Sequence, residues 1–254
     1  MSGNGGKSGV LRAAGLCVRR GKKTVLDGFD LELEAGAVTV LLGRNGSGKS
    51  SFLRACLGLL PWKRGTLEVL GLDPRRQQRR VLEQVGFVPD VPDAYEWMRA
   101  GELLRFLEPH YPTWDAAEAA RCLERFRVPL DVPLAGLSRG QGALLMLTAA
   151  LAPRPKLLLL DEPFAGLDAV AREEVLRALI EALGESSERS VLCTTHDLDV
   201  AARIADRIAW LENGRIEEHG SLSEVLGAQE GEELAAAPRR LAEKFLAAEA
   251  ASHA

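Results

Sequence analysis

The run Gly43-Arg44-Asn45-Gly46-Ser47-Gly48-Lys49-Ser50 has the residue types and spacing of a phosphate-binding loop. Gly43, Gly46 and Gly48 let backbone N–H groups converge on phosphate oxygens without intervening side chains. Lys49 supplies a point charge for the outer phosphates. Ser50 opens the next helix, so its hydroxyl can ligate Mg²⁺ while the helix N-terminus favours an anion. A second piece of the same chemistry is Asp161-Glu162, at the end of Leu157-Leu158-Leu159-Leu160. A carboxylate ending a neighbouring parallel strand aims at the metal, so Asp161 is expected to hold Mg²⁺ and Glu162 to polarise the attacking water as general base. Alone, this pair reads equally well as the charged end of an ordinary strand. Beside the phosphate loop it reads as the other half of a nucleoside triphosphatase site. Gly6-Lys7-Ser8 shares the tail of the loop pattern but lacks its earlier glycine and any preceding strand, and is set aside.

These residues need a strand, loop and helix to position them. Ala37 to Leu42 is a short continuous apolar run, as a buried strand makes. Before it, Phe29 to Glu34 alternates apolar and acidic residues, the period of a strand with one wet face, and Ala35-Gly36 turns the chain. After the loop, Phe52, Leu53, Cys56, Leu57 and Leu60 share a helical face, and Pro61 is expected to stop that helix. Thr66 to Leu70 and Val85 to Val88 read as further strands. The basic run Arg75 to Arg80 between them is either a solvated surface or a contact with anionic lipid or a partner. From Gly101 to Ala152 the period turns helical, with Leu103, Leu104 and Leu107 on one face and Asp115 with Glu118 as a capping box before Leu123 and Phe126. The α/β rhythm resumes with the strand Leu157 to Leu160, a helix from Asp168 to Leu183 closed by Gly184, and a strand around Val191 to Thr194. Asn213-Gly214 marks a hairpin turn between Arg207 to Leu211 and Arg215 to Glu218. Ser221 to Ala254, rich in Ala, Glu and Leu, reads as one or two amphipathic helices.

A chain of 254 residues suits one large α/β domain with an inserted lobe. Its 32 basic and 36 acidic residues are nearly balanced, so no whole-molecule field draws it to nucleic acid, and no nucleic-acid partner is expected. The apolar runs fall far short of the ~20 residues of a membrane-spanning helix. Met1 to Gly9 is polar and Gly-rich without a signal-peptide core, and is expected to be a disordered tail on a cytoplasmic protein. Cys17, Cys56, Cys122 and Cys193 have no paired spacing, which argues against a zinc site and for reduced, packed thiols.

The segment Leu137-Ser138-Arg139-Gly140-Gln141 ends 20 positions before Asp161, and with it the sequence resembles the ATP-binding-cassette ATPases. The likeness continues with Ala165-Gly166-Leu167-Asp168, similar to the family's dimer-contact loop, and Thr194-Thr195-His196-Asp197, similar to its switch histidine. It spans residues 10–222. The resemblance implies an α/β fold of the P-loop NTPase, ABC-ATPase type: a mixed sheet core, an antiparallel β subdomain and an inserted helical subdomain near 93–152. The tail at 1–9 and a helical C-terminal extension at 223–254 lie outside that domain. It further implies ATP and Mg²⁺ as cofactors, hydrolysis of ATP, and a second cassette subunit, identical or not, facing the first head to tail. Ser138 by its hydroxyl and Gly140 by its N–H, with Gln141, then cap the nucleotide held by the partner. Ser51 joins the phosphate loop, Asp168 the dimer contact, and His196 is expected to touch the γ-phosphate and orient the water. His110, His219 and His253 have no such setting and are read as structural or solvated.

Three positions depart from the family's pattern. Arg20 stands where a base-stacking aromatic is usual, so adenine stacks on a guanidinium or is held elsewhere. Asp90 replaces the glutamine after Val88-Pro89 and is a hard oxygen ligand that can reach Mg²⁺. Arg139 replaces a signature glycine, putting a cation either beside the partner's phosphates or into solvent. Val91 to Trp114, with Trp97-Met98 and Tyr111-Pro112-Thr113-Trp114-Asp115, lies where the family's cassettes receive coupling helices from a separately encoded transmembrane permease. The same aromatics also suit packing of the lobe. With Ser138-Arg139-Gly140, the segment is similar to small bacterial efflux-type cassettes. That likeness implies ATP-driven dimerisation powering a permease, for export, from the inner face of the cell membrane. The competing reading is a soluble cassette such as a cofactor-assembly ATPase. A small-molecule kinase shares the phosphate loop but has no use for Ser138 to Gln141 or His196.

Overall fold

The structure, a computed structural model, describes residues 9–91, 95–184, 188–227 and 237–252, the last helix without the side chains of 245–252. Most of the expected N-terminal tail, part of the C-terminal extension and His253 lie outside the described residues. In chain order the strands are β1 (Leu11–Arg20), β2 (Lys23–Leu33), β3 (Val38–Leu42), β4 (Trp62–Val69), β5 (Val85–Val88), β6 (Leu157–Asp161), β7 (Ser190–Thr195), β8 (Arg207–Glu212) and β9 (Arg215–Ser221). The helices are α1 (Lys49–Cys56), α2 (Gln78–Leu82), α3 (Ala100–Leu107), α4 (Ala116–Phe126), α5 (Arg139–Leu151), α6 (Ala169–Gly184), α7 (Leu198–Ile204), α8 (Leu222–Leu226) and α9 (Ala237–Ser252).

Six strands form one sheet in the order β5-β6-β7-β3-β8-β9. β5, β6, β7, β3 and β8 are mutually parallel, and β9 closes the edge antiparallel to β8. A separate antiparallel sheet has the order β2-β1-β4. The apolar runs of the central strands follow from burial on both faces. In β6, Leu158 and Leu160 enter a core shared with α3 to α7, while Leu157 and Leu159 enter a second core shared with α1 and the antiparallel sheet. β3 and β7 alternate in the same way, with Val40, Leu42, Val191 and Cys193 on one side and Leu41 and Leu192 on the other. Helix α1 is therefore held between the two sheets, with the Phe52 ring 4.4 Å from that of Phe29 on β2.

Several boundaries differ from the sequence reading, each for a local reason. β1, which the sequence pattern did not reveal, carries register shifts that break its alternation, at Ala13/Leu16 and again before Val18. Helix α1 ends at Cys56, well before Pro61. Gly58 takes a φ of +69° there, and a Cβ on it would stand 2.5 Å from the Pro74 carbonyl oxygen. β4 begins at Trp62 rather than Thr66 because its first residues already pair with β1, Trp62 opposite Val18. Asp115 caps α4 by accepting from the Glu118 N–H at 2.9 Å, yet the reciprocal half of the box is absent. The Asp115 N–H donates to the Ala152 carbonyl instead, and Glu118 pairs with Arg121. The hairpin turn is as read: Asn213 and Gly214 have φ of +48° and +80°, the left-handed pair that a tight two-residue turn requires.

The helical part between β5 and β6 contains α3, α4 and α5, and α5 returns the chain against β5. Gly86 permits that return, since a Cβ there would meet the Ala150 carbonyl oxygen at 2.5 Å. After β9, α8 starts with Ser221 and Glu224 as a reciprocal capping box, and α9 packs against α7 and α8. Among the described residues, no helix is long and apolar enough to cross a membrane.

Gly65 on β4 faces the irregular stretch of β1 with φ +84°, and a Cβ there would lie 2.4 Å from the Gly15 carbonyl oxygen. Gly65→Ala is expected to destabilise the protein by roughly 1–3 kcal/mol through strain and displacement of β1. Urea denaturation measures this, and an unchanged midpoint would show that the two strands have room to part.

Candidate active site

The site forms at the C-terminal edge of the parallel strands, where open α/β sheets bind ligands. The phosphate loop joins β3 to α1, and its shape is imposed by close neighbours. A Cβ on Gly48, whose φ is +118°, would strike Leu26 Cδ2 at 2.8 Å and the Val25 carbonyl oxygen at 2.9 Å. A Cβ on Gly43 would lie 2.6 Å from the Leu211 carbonyl oxygen. Thus β2 and β8 wall the loop on two sides, and only glycine fits either contact.

Lys49 is 5% exposed. Its Nζ donates to the Gly43 and Arg44 carbonyl oxygens at 2.6 and 3.2 Å and lies 3.0 Å from Glu162 Oε1. Two carbonyl bonds and one ion pair thus compensate the buried ammonium charge. Ser50 Oγ donates to Asp161 Oδ1 at 3.0 Å, which joins the start of α1 to the end of β6. Thr194 on β7 donates its hydroxyl to the same Oδ1 at 2.9 Å. Its register partner across the parallel ladder is Asp161.

Glu162 has a φ of +47°, a left-handed conformation that costs a non-glycine residue energy and persists only where neighbours hold it. Here its N–H bonds the Thr194 carbonyl and hydroxyl oxygens, both at 3.1 Å. Glu162 Oε2 meets His196 Nδ1 at 2.9 Å, with the histidine ring half exposed. Lys49, Ser50, Asp161, Glu162, Thr194 and His196 therefore form one connected cluster from the start of α1 and the ends of β6 and β7. Thr194 stands in the string before His196, but the sequence assigns it no role of its own. A threonine in an apolar strand carries no signal until the register sets it beside Asp161.

The donor set suits the groups the sequence implied. Ser47 Oγ, inside the loop, is buried without a hydrogen-bond partner, as befits a donor aimed at a ligand oxygen. Ser50 and Asp161 offer hard oxygens to Mg²⁺, which needs only one or two protein ligands when phosphates supply others. Asp90 is exposed just beyond β5, near enough that its charge acts on Asp161. Ser51 is buried on α1, while Arg44 and Asn45 stand exposed at the loop's outer turn. Arg20 is exposed at the β1–β2 hairpin turn, opposite Lys23.

Away from this cluster, Ser138 caps α5. Its Oγ accepts from the Gln141 N–H at 3.1 Å, and Gln141 Oε1 accepts from the Ser138 N–H at 3.0 Å. The hydroxyl proton of Ser138 remains available for donation. The Ser-x-x-Gln spacing of a capping box was present in the sequence and explains why Gln141 belongs there. Gly140 lets α5 approach α6, where a Cβ would meet Ala171 Cβ at 2.9 Å. Arg139 is exposed at the start of α5. Its guanidinium folds over Gly166 and donates to that carbonyl oxygen at 3.4 Å, because the bare glycine leaves the space. Asp168 caps α6, its Oδ1 accepting from the Val170 and Ala171 N–H groups at 3.0 and 2.9 Å.

The remaining candidates sort by exposure. Trp97 and Tyr95 are 70% and 63% exposed and stack with ring centroids 5.5 Å apart, whereas Met98 is buried and Trp114 packs on the core. In the basic run, Arg75 lies 3.9 Å from the Trp62 ring centre and pairs with Asp73, Arg76 also pairs with Asp73, and Arg79 pairs with Glu83. Arg76 and Arg79 remain largely exposed despite these pairings. His110 bonds the Phe106 carbonyl, and burial lowers the pKa of His219. All four cysteines are buried.

A phosphate loop between β3 and α1, facing Asp161-Glu162 at the tip of β6 in the same sheet, defines a phosphate-loop ATPase of the cassette type. A family model described as "ABC transporter" matches residues 26–165. The aliphatic sulfonates import ATP-binding protein SsuB 2 of Streptomyces avermitilis is 40% identical over 216 residues, covering 82% of this chain and 78% of that protein. The Nod factor export ATP-binding protein I of Sinorhizobium fredii is 37% identical over 235 residues, covering 87% and 66%. A solved structure of the ATP-binding subunit of an ABC transporter superposes with a TM-score of 0.75 at 28% identity, covering 85% of this chain and 91% of that one. The chain belongs to the ABC transporter ATP-binding family, and is an ATPase that uses ATP and Mg²⁺.

Burial raises the pKa of Asp161, a shift opposed by its bonds from Thr194 and Ser50 and reinforced by the charges of Asp90 and Glu162. A carboxylate whose folded pKa lies above its unfolded value contributes stability at low pH and loses it as pH rises through the folded value. At neutral pH the ionised Asp161 therefore costs stability when no cation offsets it. Asp161→Asn keeps acceptors for Thr194 and Ser50 without the charge. It is expected to melt higher than wild type in EDTA without nucleotide, and to lose most of the stabilisation that Mg²⁺-ATP confers. Thermal melts under both conditions check this, and a lower melting temperature in EDTA would contradict it.

Proposed function

We propose that this chain is the motor subunit of an exporter, hydrolysing ATP between two cassettes to drive a separately encoded transmembrane permease. The observation that carries the reading is the single bonded cluster of Lys49, Ser50, Asp161, Glu162, Thr194 and His196 at one sheet edge. Gly43 to Ser51 wrap the phosphates with backbone N–H groups, and Lys49 turns its charge to the outer ones. Ser50 and Asp161, with Asp90 nearby, would hold Mg²⁺, which would supply charge neutralisation at the phosphate oxygens. Glu162 accepts the proton of the attacking water, and His196 holds that carboxylate in place while facing the γ-phosphate. Arg20 covers the base.

The second half of the reaction comes from the partner cassette, whose copy of Ser138, Gly140 and Gln141 closes over the nucleotide while Asp168 contacts the facing loop. The free proton of the Ser138 hydroxyl and the N-terminus of the 13-residue helix α5 support that role. The stacked, exposed pair Tyr95 and Trp97 supports a permease contact on the helical lobe, since large exposed aromatics mark interaction surfaces. Relatives named for import and for export share this cassette. The export assignment rests on the efflux-type signature Ser138-Arg139-Gly140.

Glu162→Gln is expected to bind ATP normally, to slow turnover ~100-fold or more, and to accumulate an ATP-dependent dimer. Adding Ser138→Arg to that variant is expected to leave it monomeric. Phosphate release and analytical ultracentrifugation provide the readouts. Full turnover in Glu162→Gln would remove the glutamate from its role, and a dimer that survives Ser138→Arg would overturn the head-to-tail arrangement. In detergent extracts the tagged chain is expected to bring down a polytopic membrane protein, and deleting the gene to raise the cellular level of the transported compound. A soluble scaffold partner would favour the cofactor-assembly reading, and a fall in that level would reverse the direction.

A further inference from the structure

His196 sits in the two-residue link between β7 and α7, so its position depends on the neighbouring residue, Asp197. That carboxylate works on both sides. Its Oδ1 caps α7, accepting from the Asp199 and Val200 N–H groups at 3.0 and 3.2 Å. Its Oδ2 accepts from Arg172 NH1 at 2.9 Å. The Asp197 N–H is itself tied to Thr195 Oγ1 at 3.0 Å.

Arg172 stands in the first turn of α6. Its backbone N–H donates to the Asp168 carbonyl oxygen at 2.9 Å, and Asp168 closes the loop that starts at Ala165. The arginine is half-buried, and its Nε is shielded from solvent without a hydrogen-bond partner. Burying that group costs stability, and a partly exposed ion pair returns little. The arrangement makes physical sense as a means of fixing position. A second ion pair, Arg203 with Glu173 through two bonds of 2.7 and 2.9 Å, ties the other end of α7 to α6. Helix α7 thus follows α6 at both ends.

We propose that Arg172 is a positioning residue for hydrolysis, transmitting the position of the loop Ala165-Gly166-Leu167-Asp168 through Asp197 to His196, and so to the Glu162 carboxylate 2.9 Å away. This rests on the reading of Glu162, His196 and the dimer-contact loop given above. When the partner cassette presses on Asp168, the first turn of α6 shifts, and the Arg172–Asp197 pair carries that shift to the histidine. Hydrolysis then occurs fastest in a closed dimer, through a bridge outside the nucleotide's own contacts.

The test is a double-mutant cycle in the full chain, because Asn caps a helix as well as Asp does, so Asp197→Asn keeps the cap while replacing the charged acceptor that faces Arg172 by an amide donor. Arg172→Met and Asp197→Asn are each expected to lower kcat by roughly 2- to 30-fold, with KM for ATP and Tm close to wild type. The double variant should be no slower than the slower single one, and Arg172→Lys should recover most of the loss. Additive losses in the cycle, unchanged kcat, or an equal loss in Glu173→Gln would each overturn the proposal, the last by exposing general helix packing. Glu162→Gln is measured alongside. If it abolishes turnover while Arg172→Met stays fully active, this inference alone fails; if Glu162→Gln stays active, the reading of the site fails first.

Discussion

Two opposite charges, Lys49 and Glu162, meet 3.0 Å apart with side chains 5% and 10% exposed, and much of the surrounding architecture serves to keep neither uncompensated. A buried ion pair draws little net stability from its own attraction, and losing one partner strands the other in a low-dielectric setting. Lys49 is therefore backed by two carbonyl oxygens and Glu162 by His196 and by the Thr194 anchor on its backbone. The same groups suit a triphosphate, whose oxygens compete with Glu162 for the ammonium and leave the carboxylate to face water. Charge that the fold must balance internally is charge it can redirect to a substrate.

The layering explains how such a cluster forms from residues distant in sequence. Parallel strands deliver their C-terminal ends to one edge, so β3, β6 and β7 place the phosphate loop, Asp161-Glu162 and Thr194-Thr195-His196 side by side without long excursions. The antiparallel sheet presses Val25 and Leu26 against Gly48, and the β8–β9 turn bonds back to Asp27 from Gly214. These contacts hold the loop from outside. The helical part contributes Ser138 on a separate surface, and its link to the core runs through Gly140 against Ala171 and Arg139 over Gly166.

Much of this was legible in the chain itself. The phosphate loop, the acidic strand end, the signature and the histidine are local strings whose spacing is set by single turns and strand ends, so they survive being read without coordinates. The continuous apolar runs of the central strands, the Asn213-Gly214 turn and the Asp115 cap are equally local. Where expectations failed, a distant group had intervened. Helix α1 ends at Cys56, and Gly58 just beyond it turns left-handed with Pro74 lying against it. Glu118 abandons its capping box for Arg121 because the Asp115 N–H is already held by Ala152.

By itself, then, the sequence determined the chemical identity of the site and the order of its elements, since both depend on residue type and short-range period. Tertiary structure alone decided register and reach. It set Thr194 opposite Asp161, laid Arg139 over Gly166, and brought Arg172 to Asp197 across two helices. These are contacts between residues 25 or more positions apart in the chain. No local pattern encodes them, because strand pairing and helix packing choose the partner.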